Sequence, residues 1–278
     1  MDGGAAASPD TPTAARRRLV VSPHEGATFV ALEENVSVAV VSPAESPSLA
    51  KAMLALLPRS WPAFILEAGA PDVDDAPTDW SRFVSHWPQF QLALMEDRKL
   101  VATAHSVPLA WNGLVPPETG WDWAVKEAGR GQPLVTLCAL AVTVAPEAQG
   151  RGLSQIALQG LREVARRHGF KRLIVPVRPN KKDRHPWMSM SEYLERRNAE
   201  GLPEDPWLRT HIRRGGRILG ICARSMQLAA TAQRWAKWTG VSSLADGSHA
   251  IAGGLSPLRI EKGIGRYTEA NVWVEHPL

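Results

Sequence analysis

Gln149-Gly150-Arg151-Gly152-Leu153-Ser154 is the stretch whose residue types and spacing point most directly to chemistry. Backbone amides at a helix start have no partner within the helix, and the aligned peptide dipoles put partial positive charge there. Glycines at 150 and 152 let the main chain curl closely around an anion, and Arg151 adds a charge. The chemistry implied is capture of a phosphate or pyrophosphate. The turn lacks the Gly-Lys-Ser/Thr of a Walker loop and the three-glycine spacing of the dinucleotide fingerprint, which argues against nucleoside triphosphates and NAD.

Two elements must hold this turn. Val135 to Val144 is an apolar, β-branched run that breaks at Pro146, the pattern of a buried strand. The chain then resumes as an amphipathic helix ending at Gly169.

Strand, glycine turn and helix in this order resemble the acyl-CoA loop of the GCN5-related N-acetyltransferases, the GNAT superfamily. The pattern there is Gln/Arg-x-x-Gly-x-Gly/Ala, and Gln149, Gly152 and Ser154 fall on its fixed positions. Ser154 departs from the usual Gly or Ala and is expected to cap the helix. The resemblance implies an α/β GNAT fold, a mixed sheet with a splayed central strand pair flanked by helices. It also implies acetyl-CoA or another acyl-CoA as co-substrate. The pyrophosphate would sit on the amides of Gln149, Gly150, Arg151, Gly152, Leu153 and Ser154. Pantetheine would pair with the strand main chain at Val142 to Val144, with a looser contact at Asn180.

The same resemblance places Tyr193, on the helix after the splayed strand, as general acid for the departing thiolate; a packed or surface tyrosine is the plainer alternative. A base is harder to name, because Leu134 to Val144 carries no carboxylate or histidine. His105 and His211 have near-neutral intrinsic pKa values suited to the work, though each reads equally as a structural histidine. Glu118 and Asp122 are further options, as carboxylates in a Trp-rich insertion over residues 111 to 133.

Composition narrows the classes. No run approaches the length of a membrane span and no signal-peptide layout opens the chain, so a soluble, cytoplasmic protein without a membrane partner is expected. Cys138 and Cys222, the only cysteines, sit in apolar strand-like runs and read as reduced, buried thiols. Histidines and cysteines show no metal-ligand spacing, so no metal is expected. Charge is uneven: residues 19 to 150 carry 7 Lys/Arg against 15 Asp/Glu, whereas residues 151 to 224 carry 17 against 7. The chemistry-bearing half is therefore cationic and suits an anionic donor.

Taken in order, residues 1 to 18 read as a disordered leader and 19 to 278 as one acyltransferase domain. Short strands are expected at Phe29 to Leu32, Val36 to Val41, Phe90 to Met95 and Leu100 to Leu109, and helices at Leu49 to Leu57, Trp80 to Trp87 and Met190 to Ala199. Arg172 to Val177 reads as a clean strand. Residues 58 to 79 form an acidic loop with Asp72, Asp74 and Asp75. Eleven tryptophans are enough to wall a cleft: Trp111, Trp121, Trp123, Trp187 and Trp207 fall in loop-like segments flanking it, while Trp235 and Trp238 have core spacing. Segments such as Asp205 to His211 and Asn271 to His276, in an extended part over 201 to 278, resemble an actinobacterial subgroup of the superfamily.

The reading that joins these features is an N-acyltransferase moving an acyl group, most simply acetyl, from acyl-CoA to a small-molecule amine by direct attack. A second keeps the fold and takes aminoacyl-tRNA as donor, binding RNA through the basic 151 to 224 segment. A third is a non-catalytic acyl-CoA-binding module. Oligomeric state is left open.

Overall fold

The computed structural model describes residues 18–20, 29–33, 36–44, 46–68, 78–113 and 115–278. The expected leader lies outside these residues except for Arg18, as do Asp72, Asp74 and Asp75 of the acidic loop. The strands are β1 (Arg18–Val20), β2 (Phe29–Glu33), β3 (Val36–Val41), β4 (Leu92–Glu96), β5 (Lys99–Leu109), β6 (Thr136–Val144), β7 (Arg172–Val177), β8 (Arg217–Thr231), β9 (Gly247–His249), β10 (Leu258–Glu261) and β11 (Ile264–His276). The helices are α1 (Ser48–Leu56), α2 (Ala63–Glu67), α3 (Trp80–His86), α4 (Gly120–Glu127), α5 (Leu153–Arg167), α6 (Met190–Glu195), α7 (Pro206–Arg213) and α8 (Ala232–Thr239).

The strands form one mixed sheet in the order β1-β2-β3-β4-β5-β6-β7-β11-β10-β9, with β8 paired to β11. Every pairing is antiparallel except β6 with β7. That exception follows from α5, which carries the chain back across the sheet between them. Leu153, Ile156, Ala157, Leu158, Leu161, Val164 and Ala165 lie buried at helical spacing on α5 and fasten it over one face. Each fully buried Leu or Ile contributes roughly 1.5–3 kcal/mol. A second core on the opposite face gathers Phe64, Trp80, Phe83, Trp121, Trp235 and Tyr267.

The extended C-terminal part completes the sheet. β11 lies against β7 through Val272 to His276 and against β8 through most of its length. Its other end pairs with β10 at residues 264 to 266. Residues 267 to 271 of β11 are therefore flanked by neither β7 nor β10, and the chain leaves β7 at Arg178 beside this gap. Cys138 and Cys222 are buried and unbridged. Among the described residues, no helix is long and apolar enough to cross a membrane.

Candidate active site

The glycine turn is built from backbone geometry. Ala145 donates to the Val101 carbonyl at 2.9 Å, and a 3-10 turn over Pro146–Ala148 delivers the chain to Gln149. Gly150 and Gly152 both take left-handed conformations, with φ of 79° and 78°, which other residues adopt only with strain. Nothing lies within 4 Å of where a Cβ at Gly150 would stand, so conformation alone calls for glycine there. Gly152 is the N-cap of α5, and no side chain caps that end. The first amides of the helix are thus left for a ligand. Ser154, expected as a cap, instead lines the cleft inside the first turn.

The cleft itself opens where two strands separate. β6 and β7 pair only over Thr136–Cys138 and Arg172–Ile174; beyond these, Ala139 to Val144 and Val175 to Val177 diverge and line a space of about 670 Å³. A bulge sits at the fork. His105 pairs with Ala141 and Ser106 with Ala139, which leaves Leu140 without a partner across β5. The Leu140 carbonyl accepts the Trp121 Nε1–H at 3.2 Å, so α4 is latched to the bulge. Gln149, Gly150, Gly152, Leu153 and Ser154 line one end of the cleft, with Val142, Val144 and Asn180, so the turn is open rather than plugged.

The far wall is made of side chains. Arg178 lines the cleft, and Glu269 grips it through Nε at 2.8 Å and Nη2 at 2.9 Å, while Nη2 also donates to the Gly253 carbonyl. Glu269 is wholly buried and receives the Tyr267 hydroxyl at 2.6 Å and the Asn271 amide at 3.0 Å. Tyr267, Glu269 and Asn271 alternate along β11, so all three point to one face. The chain of bonds continues from Ser225 to Asn271 and from the Trp121 amide to Ser225. Lys182, also buried, donates to the His185 and Leu255 carbonyls. Asp122, the residue after Trp121, does not line the cleft and accepts from the Gln227 amide at 2.9 Å. Burial, with a lesser push from Glu269, raises its pKa to about 7.

Several expectations require correction. Arg151 turns away from the cleft and is held by both oxygens of Glu96 in the β4–β5 turn, so it lends backbone but no free charge to the loop. His105 is fully buried outside the cleft, between Gln91 and the Trp80 ring, and burial pulls its pKa down to about 4. Tyr193 is buried as well; its hydroxyl donates to Asp205 at 3.0 Å and does not line the cleft. Burial, followed by the Asp205 carboxylate, pushes its pKa up, which opposes proton release. Asp205 also caps α7, so Tyr193 belongs to a structural joint.

Of the two histidines, His211 alone reaches the cleft. It packs on Trp207 with ring centroids 4.3 Å apart and shares a 2.8 Å hydrogen bond with His276. Burial and His276 hold its pKa well below the usual histidine value, making it a weak proton acceptor. Among the tryptophans, Trp121 and Trp207 line the cleft as expected. Trp111 is buried elsewhere, Trp123 packs on Trp273, and Trp187 is exposed. Trp61, Met226, Arg178 and Gly253 also line the cleft, and no local motif marks them in the sequence.

A parted strand pair, an uncapped glycine-opened helix start beside it, and a polar pocket across the fork define a protein of the N-acyltransferase class. The family model described as "Acetyltransferase (GNAT) family" matches residues 51–193, and the chain belongs to that family and is an acyltransferase. A curated relative, arginine N-acetyltransferase avaD of Aspergillus versicolor, is 32% identical over 252 residues, covering 78% of this chain and 85% of the relative. The loading GNATL domain of CurA from Lyngbya majuscula matches with a TM-score of 0.57 at 18% identity, over 86% of this chain and 97% of its own. The GphF GNAT-like decarboxylase, solved with isobutyryl-CoA, matches with a TM-score of 0.55 at 17% identity, over 86% and 98%. At these identities the two structures speak for the fold alone.

Proposed function

We propose that this protein transfers an acetyl group from acetyl-CoA to an amine of a small amino-acid acceptor, with arginine or a close analogue as the first candidate. The observation that carries the reading is one continuous cleft, running from the uncapped start of α5 to the Arg178 pocket through the fork between β6 and β7. The similarity to an arginine N-acetyltransferase supports the acceptor class.

The open amides from Gly150 to Ser154 fit a pyrophosphate, and the β6 edge at Val142 and Val144, freed by the departure of β7, fits an extended amide chain. Acetyl-CoA supplies an activated acyl group with a thiolate as leaving group. The Leu140 amide N–H, at the bulge without a partner across β5, is the donor that polarises the acyl carbonyl. Trp121 and Met226 hold the acceptor against that point and exclude bulk water. Asp122 follows Trp121 on α4 outside the cleft wall, and with its pKa raised to about 7 it takes the amine proton through intervening solvent. Tyr193 keeps Asp205 and α7 in place and moves no proton.

Two buried, unbridged cysteines favour a reducing, cytoplasmic setting. The RNA-donor reading loses part of its motive. Arg167, Arg172, Arg178, Arg196, Arg213 and Arg217 are engaged with Glu163, Glu275, Glu269, Glu204, Glu200 and Glu275. Glu163, Glu200 and Glu204 already belong to the 151 to 224 count, so only Glu269 and Glu275 lower the excess of cations there. The test is to incubate the purified protein with acetyl-CoA and a panel of amino acids and polyamines, following thiol release and product mass. Acetylation of arginine or a near analogue is expected. Thiol release with no amine, together with co-purified tRNA bound in a steeply salt-dependent way, would overturn the reading.

A further inference from the structure

We propose that Arg178 is the specificity-determining residue that reads a carboxylate on the acceptor, so that the substrate must carry a free acid group as well as an amine. This rests on the acetyl-transfer reading above and deepens it.

Arg178 follows directly on β7, at the point where the β11 edge is left uncovered, and its side chain lines the cleft. Its Nε and Nη2 are taken by Glu269 and the Gly253 carbonyl, but among the described residues no protein acceptor meets Nη1. The guanidinium is therefore fixed in orientation with one donor edge unspent. Its side chain is 16% exposed and that of Glu269 is 0% exposed, so the ion pair is shielded while part of the Arg178 side chain borders the cleft.

The support behind it is rigid. Glu269 accepts from Tyr267 and Asn271, Tyr267 accepts from the Leu255 amide, and Asn271 accepts from Ser225. A guanidinium whose fork is locked on Glu269 loses little freedom when its remaining Nη1 donors meet a second carboxylate.

The experiment compares L-arginine, L-argininamide and agmatine as acceptors for the wild-type protein. All three keep the guanidinium and an amine; only arginine has the carboxylate. Arginine is expected to exceed both by at least ~100-fold in kcat/KM, mostly through KM. The Arg178→Lys variant should shrink that preference to roughly threefold while its affinity for CoA stays near wild type. An Arg178→Gln/Glu269→Gln double variant, which removes both members of the ion pair together, guards against misfolding and should show the same flattening. Equal use of arginine and agmatine by the wild-type protein would overturn the proposal. If no amine is acetylated, the transfer reading fails instead, and calorimetry of the three compounds against the CoA-bound protein still decides this one. Tighter binding of arginine supports it, and equal or absent binding overturns it.

Discussion

The two ends of the cleft are built in opposite ways. The end at Gln149 to Ser154 is made of main chain: amides left open by two left-handed glycines and an uncapped helix, all within one contiguous segment of the sequence. The end at Arg178 is made of side chains drawn from β7, β8, β11 and α4, joined by a chain of buried hydrogen bonds. A main-chain site recognises something generic and tolerates changes in its side chains. A side-chain site is particular, and it is fragile wherever a buried charge depends on a partner.

The sharpest way to break this contrast is Glu269→Gln. Removing one partner of a buried ion pair costs about 3–5 kcal/mol, so urea unfolding should show a large loss of stability. An unmoved midpoint would mean that the far wall is not held together by this pair. Next comes Asp122→Asn, which should lower kcat by ~100-fold or more and abolish the rising limb of the pH–rate profile near pH 7. Its stability should move the other way. With a folded pKa near 7 against an ordinary value of 3.8, the folded state holds a proton that the unfolded chain has lost between those values. Wild-type stability therefore falls as pH rises through that window, and the variant escapes the fall. A variant that lost activity without this crossing would have been damaged in some other way.

At the main-chain end the effects should be smaller and confined to the donor. Gly152→Val imposes a left-handed strain of about 1–2 kcal/mol and should weaken CoA binding roughly tenfold or more, with acceptor preference unchanged. Arg151→Ala should change CoA affinity by less than about threefold, because its exposed pair with Glu96 is a surface contact. A tenfold loss of CoA affinity in Arg151→Ala would show that side-chain charge, and not main chain, dominates that end.

The contrast also explains what could be read from the sequence. Strand, turn, helix and strand appear in order between Thr136 and Val177, and their bounds fall within a residue or two of the periodicity-based ones. Local patterning suffices because the site is local. Residues 121, 178 and 225 share no spacing with the alternating 267, 269 and 271; only the placement of β11 beside β7 and β8 brings them together. The family resemblance points to Tyr193 and residue type to His105, and neither fixes side-chain direction: one points at Asp205 and the other into the core. Arg151 misleads for a related reason, since its partner Glu96 lies 55 residues earlier in the chain.

The position of β11 has a bearing on how the molecule comes into being. Its neighbours β7 and β8 both precede it in the chain, and neither can bond its facing edge until Ile264–His276 has been synthesised. A growing polypeptide would thus present bare strand edges and an unfinished hydrophobic layer from the synthesis of β7 until that of β11, the state in which nascent chains depend most on chaperones.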